Sequence, residues 1–148
     1  MWRSSCLYSR NHFNLNILRI MTQEEKQLLL IDLCARLPYG VFINTAKGDG
    51  TLDTIQVCCN NDVICSSEKG HEIIDCVKPY LRHMSSMTEE EEKEYYALCV
   101  LISNGGYDWY YEPTLKSLDW LNTHHLDYRN LIEKGLALEA PKDMYKTE

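Results

Sequence analysis

Apolar residues recur along this chain at helical spacing in two long stretches, with alternating spacing between them. The first helical stretch follows Thr22, whose hydroxyl sits three residues before Glu25 in a capping box. Leu30, Leu33, Cys34 and Leu37 then form an apolar stripe, with Leu29 beside it and Pro38 as the stop. That pattern predicts a helix from about Gln23 to Leu37. The second stretch repeats the device: Thr88 and Glu91 form a capping box, and Glu89–Glu92 put negative charge at the positive end of the helix dipole. Tyr95, Leu98, Cys99 and Ile102 continue as one face, and Asn104-Gly105-Gly106 is expected to end the helix.

Between the two stretches the period falls to two. Val41 and Ile43 alternate, as do Ile55, Val57 and Cys59, and Gly48-Asp49-Gly50 reads as the hairpin turn joining them. A further strand is expected over Val63–Ser66, after the Asn60-Asn61-Asp62 turn. Ile73, Ile74 and Val77 fit a short helix or strand leading to Pro79, which biases Lys78 towards extended backbone. Beyond Gly106, Thr114 suits an N-cap for a helix with Leu115, Leu118 and Leu121 on one face and Trp120 flanking. Asp127 suits the cap of a last short helix closed by Gly135, after which 136–141 packs back onto the domain. The fold class expected is therefore α+β: an N-terminal helix, a small antiparallel sheet of about three strands, and a C-terminal helical half.

Residues 1–20 differ from this pattern. They hold three arginines and no acid, and they show no apolar period. They read as a disordered arm or an upstream start-site artefact, with Met21 the natural beginning of one domain over 21–141. From Lys142 the chain is expected to fray as a flexible tail over 142–148.

Composition narrows the function classes. At 148 residues the chain suits one domain able to bury roughly two thirds of its unfolded surface. The net charge is −7, and beyond residue 20 there are twelve basic against 22 acidic residues, which argues against direct nucleic-acid binding. Seven cysteines include no CxxC pair, and Cys58 and Cys59 are adjacent, which suits neither a bridge nor a zinc knuckle. They read as reduced, mostly buried thiols of a cytoplasmic protein. No apolar run approaches the ~20 residues of a membrane span.

Candidate chemistry is sparse. Tyr107, Trp109, Tyr110 and Tyr111 form a dense aromatic patch suited to a partner surface, or else closing over the core. His124, His125 and Asp127 have ligand chemistry for a divalent metal, but adjacent helical histidines point about 100° apart, which favours a helix-end role. A thiol nucleophile among Cys34, Cys58, Cys59, Cys65, Cys76 and Cys99, paired with His71 or His83, is not selected by any spacing. Arg82 and Arg129 suit an anion site or, more simply, ion pairs with helix-capping acids. No cofactor is expected.

Three blocks, LCARLPYGV (33–41), KPYLRHMSSMTEEE (78–91) and DWLNTHHLDYRNLIEKGLALEAP (119–141), resemble a family of uncharacterised proteins from Bacteroides-group gut bacteria and their phages and prophages. The resemblance covers about residues 21–145. It implies a cytoplasmic accessory protein carried by mobile elements, and no assigned activity. The leading expectation is a non-enzymatic protein-interaction module with an unidentified protein partner. The alternative is a small Cys/His-dependent enzyme or metal-binding protein. A pocket where thiol, imidazole and carboxylate meet would mark the second; a flat aromatic surface would mark the first.

Overall fold

Thr22 caps the first helix as its sequence implies. Its hydroxyl accepts from the Glu25 N–H at 3.2 Å, and the Glu25 carboxylate accepts from the Thr22 N–H at 3.0 Å. The structure, a computed structural model, describes residues 20–146, so the expectation for an N-terminal arm or start-site artefact lies, but for Ile20, outside the described residues.

Helix α1 spans Gln23–Arg36 and buries Leu29, Asp32, Leu33 and Arg36. This corrects the expected stripe. Leu33 is shared, but Cys34 is exposed, and Leu30 and Leu37 are half-buried. The buried face follows i, i+3, i+4, i+7 spacing from Leu29, yet two of its four members are charged. A count of apolar residues skips them and rotates the face by about one position. After α1, Leu37–Tyr39 forms a 3-10 turn and Gly40 takes a left-handed φ of 67°.

Strands β1 (Phe42–Thr45) and β2 (Gly48–Thr51) pair antiparallel, with Thr45 opposite Gly48. The turn is therefore at Ala46-Lys47, and Gly48-Asp49-Gly50 is strand. A Cβ at Gly50 would lie 2.9 Å from a Glu68 carboxylate oxygen, so a larger residue there would displace that side chain, whose carboxylate accepts from the Thr51 N–H at 3.0 Å. Strands β3 (Thr54–Val57), β4 (Val63–Ser67) and β5 (Gly70–Ile73) form a separate antiparallel meander in that order. The segments around Ile43 and Ile55, expected to share a hairpin, thus lie in different sheets.

Strand β6 (Lys78–Leu81) returns to the first sheet beside β1. Helix α2 spans Glu89–Leu98, and its Thr88–Glu91 capping box is complete. Strands β7 (Val100–Ser103) and β8 (Trp109–Glu112) make a two-stranded antiparallel ribbon. Helix α3 spans Leu115–Thr123, capped by Thr114. Strand β9 (Leu138–Glu139) adds to β6 in parallel, giving the order β2-β1-β6-β9.

The fold is α+β, but in place of one three-stranded sheet the described residues form three sheets of four, three and two strands. The expected C-terminal helical half is likewise interrupted. Helix α2 stops at Leu98, Cys99 is extended, and Val100-Leu101-Ile102 continues as strand, as β-branched residues favour. Asn104-Gly105-Gly106 lies in the turn of the ribbon, not at a helix end. Within 127–136 no helix forms. Both Asp127 carboxylate oxygens accept backbone N–H groups, from Leu131 at 2.8 Å and Ile132 at 2.9 Å, and Gly135 closes the turn with φ 72°.

One apolar core joins α1 to the first two sheets and the C-terminal turn. It contains Leu29, Leu33, Val41, Ile43, Leu52, Val63, Cys65, Ile74, Val77, Leu81, Leu131, Leu136 and Ala137. Where the chain was expected to fray, Tyr145 docks instead. Its hydroxyl donates to the Tyr80 carbonyl at 2.7 Å and accepts from the Phe42 N–H at 3.0 Å, and burial pushes its pKa up to about 12.

The six described cysteines are free thiols. Of these, Cys65 is buried, Cys58, Cys76 and Cys99 are half-buried, and Cys34 and Cys59 are exposed, so the expectation of mostly buried thiols is corrected. Burial pushes the Cys65 thiol up to about 12, which disfavours the thiolate a nucleophile needs.

Candidate functional site

The aromatic segment 107–111 is organised by the ribbon. Register places Leu101 opposite Tyr111, Ser103 opposite Trp109, Val100 opposite Glu112 and Ile102 opposite Tyr110. Directly paired residues share a face. One face of the ribbon therefore carries Leu101, Trp109 and Tyr111, and the other carries Val100, Ile102 and Tyr110. Neither face is fully covered. Tyr107 is fully exposed, Trp109 is 64% exposed, and Tyr110, Tyr111, Val100 and Leu101 are each close to half exposed.

The ribbon is held at its base and along one face. The Thr114 hydroxyl donates to the Leu98 carbonyl at 2.7 Å, tying the chain after β8 to the end of α2. An aromatic series then runs inward: Tyr111 to Tyr96 at 4.6 Å between ring centroids, Tyr96 to Tyr95 at 5.4 Å, and Tyr95 to Trp120 of α3 at 6.0 Å. Such tilted pairs favour contact of ring edge with ring face. Between α2 and β8 lies an open groove of about 620 Å³, lined by Glu89, Glu92, Lys93, Tyr96, Ala97 and Tyr111.

The other candidates are dispersed into structural roles. The His124 ring stacks on Trp120 at 3.8 Å and its Nδ1 lies 2.8 Å from the Trp120 carbonyl, at the end of α3. His125 is buried against the Tyr145 ring at 3.8 Å. Asp127 has both oxygens engaged by backbone N–H groups. Among the described residues no group of three His, Cys, Asp or Glu side chains is placed to hold a metal ion. Arg82 grips Glu91 with two bonds of 2.9 and 2.7 Å, joining β6 to the cap of α2. That contact and the Thr88 N–H hold the Glu91 carboxyl down at about 2. Arg129 reaches Asp32 of α1, at 2.8 Å, and its guanidinium lies over Tyr128.

Two arrangements were not legible in the sequence. Cross-strand pairing of β4 with β5 brings the Ser66 hydroxyl within 2.6 Å of His71 Nδ1 on an exposed hairpin. Only the strand register creates that pair. The second is a buried polar centre. Asp32 and Arg36 are both fully buried and doubly bonded, and Arg36 also donates to the Leu126 carbonyl at 2.8 Å. An i, i+4 Asp–Arg pair is visible in the sequence, but its burial is not.

His125 borders that centre. Burial, with the nearby Arg36 guanidinium, lowers its pKa to about 4. Its free-chain value is about 6.5, so between these values the unfolded state binds the extra proton. The neutral ring's full contribution is present above pH about 6.5 and is lost as pH falls towards about 4, at up to about 1.4 kcal/mol per unit. His125→Asn should flatten that part of the stability curve, because asparagine tolerates the left-handed φ of 56° at this position. Urea midpoints at pH 7 and pH 4.5 for both proteins measure it; an unchanged difference would assign the pH dependence elsewhere.

Among the described residues no helix is long and apolar enough to cross a membrane. Comparison with protein-family models, with curated proteins and with solved structures finds no match to this chain.

Proposed function

We propose that this protein is a non-enzymatic interaction module that presents the β7–β8 ribbon and helix α2 to a protein partner. The observation that carries this reading is the ribbon's exposure on both faces. A lone two-stranded ribbon is marginal in water, and stability usually comes from a third strand or a packed layer. Here the Tyr96–Tyr111 contact and the base bond support it, while Tyr107, Trp109, Tyr110, Val100 and Leu101 remain open. Tyrosine and tryptophan bring large contact area at low entropic cost, which is why they dominate interface hot spots. The block resemblance adds the setting: a cytoplasmic accessory protein carried by phages or mobile elements.

Alanine at Tyr107, Trp109, Tyr110 and Tyr111, one at a time, tests this against a partner captured from cells that carry the gene. At least one variant should lose about 1–2 kcal/mol of affinity or more, with its melting temperature unchanged. Trp109 and Tyr107 are the cleanest sites, since Tyr111 also braces the ribbon against Tyr96. Full affinity in all four variants, or loss only where the fold melts, would overturn the reading.

A further inference from the structure

We propose that the groove between α2 and β8 takes a lysine or arginine side chain from a basic, extended segment of that partner. This rests on the interaction reading and names the chemistry of the partner. The groove has the makings of a cation seat. Tyr96 and Tyr111, 38% and 49% exposed, meet at 4.6 Å and form an aromatic wall. Glu89 and Glu92 line the same groove from α2, along the helix from Tyr96. A cation over a tyrosine face is attracted by the ring quadrupole, and carboxylates beside it add charge-assisted hydrogen bonds.

Charge around the groove points the same way. Of the four consecutive glutamates at the start of α2, Glu91 is turned to Arg82 and does not line the groove. Glu89, Glu90 and Glu92 are exposed, as are Glu94 further along the helix and Asp108 and Glu112 on the ribbon. Lys93 lies in the groove and offsets one carboxylate, which leaves the lining negative. An acidic segment would meet this field with repulsion, and a second copy of this chain, itself at −7, would bring its own glutamates to the same place.

An extended shape suits the surroundings. The groove continues onto a ribbon whose outer strand edges lack further sheet neighbours among the described residues. A partner segment can add there as a strand, its backbone bonding the edge and alternate side chains reaching the groove.

The experiment uses the whole protein and two labelled peptides of equal length, one alternating arginine with threonine and one alternating glutamate with threonine. Affinity is read by fluorescence polarisation at low and high salt. The basic peptide should bind, lose affinity as salt rises, and lose about tenfold on Glu89→Lys/Glu92→Lys, the combined effect of two charge contacts and a weakened cation seat. Tyr111→Phe, which keeps the ring, should retain affinity. Equal binding of the two peptides, or no effect of the charge reversal, would overturn the groove assignment. The same reversal is then read against the captured partner. Intact partner affinity on the reversal, with loss in at least one of the four aromatic alanine variants, would sink the groove and leave the interaction reading standing; intact affinity on the reversal and in all four variants would sink both. Light scattering completes the test, since a dimer abolished by Trp109→Ala would identify the occupant as a second copy and overturn the proposal.

Discussion

Replacing Asp32 with alanine should destabilise the protein by about 3–5 kcal/mol, the usual cost of stranding one member of a buried ion pair. Asp32 and Arg36 are fully buried. The Asp32 carboxylate accepts from Arg36 Nε at 2.9 Å and Nη2 at 3.1 Å, and from Arg129 at 2.8 Å. Without it, the Arg36 guanidinium keeps the Leu126 carbonyl at 2.8 Å and has no compensating charge of its own helix. A double substitution, Asp32→Leu with Arg36→Met, should be far milder than Asp32→Ala alone, because replacing both charges with apolar groups removes the desolvation cost along with the attraction. Urea unfolding of the three proteins measures this. A loss under about 1 kcal/mol for Asp32→Ala would mean that the charge left behind is hydrated and the pair is not sealed from solvent.

The second large effect should come from Leu33→Ala, at about 2–5 kcal/mol, through lost burial and the cavity left in the core. Leu33 is fully buried, between Asp32 and the exposed Cys34. Cys34→Ser should therefore stay within about 0.5 kcal/mol, as surface substitutions do. The two measurements together locate the inward face of α1. Comparable losses at both positions would place the face where apolar periodicity alone puts it, one residue further round the helix.

Local chemistry was readable where it was complete within a few residues. The capping boxes at Thr22–Glu25 and Thr88–Glu91, the cap at Thr114 and the Val63 strand all involve near neighbours, and each appears where its spacing puts it. The exposed aromatics of 107–111 were also recognisable as a patch. Their being strand, and exposed on two faces, was not. That depends on α2 ending at Leu98, where Tyr95, Leu98, Cys99 and Ile102 satisfy a helical count that the extended Val100–Ser103 does not follow.

The sequence by itself determined where α1, α2 and α3 begin, that the chain mixes α and β structure, and that an acidic helix start lies near an aromatic run. Each of these rests on interactions within about one turn or one hairpin. Only the tertiary structure decided which strands pair, which face of α1 is inward, and that Tyr145 is anchored between Tyr80 and Phe42. The reason is common to all three. A charged pair such as Asp32–Arg36 becomes interior only when Leu126 and Arg129, some ninety residues away, supply further hydrogen bonds. The groove has the same origin: Tyr96 and Tyr111 meet only because the chain turns back through the ribbon, bringing fifteen residues of separation down to one ring contact.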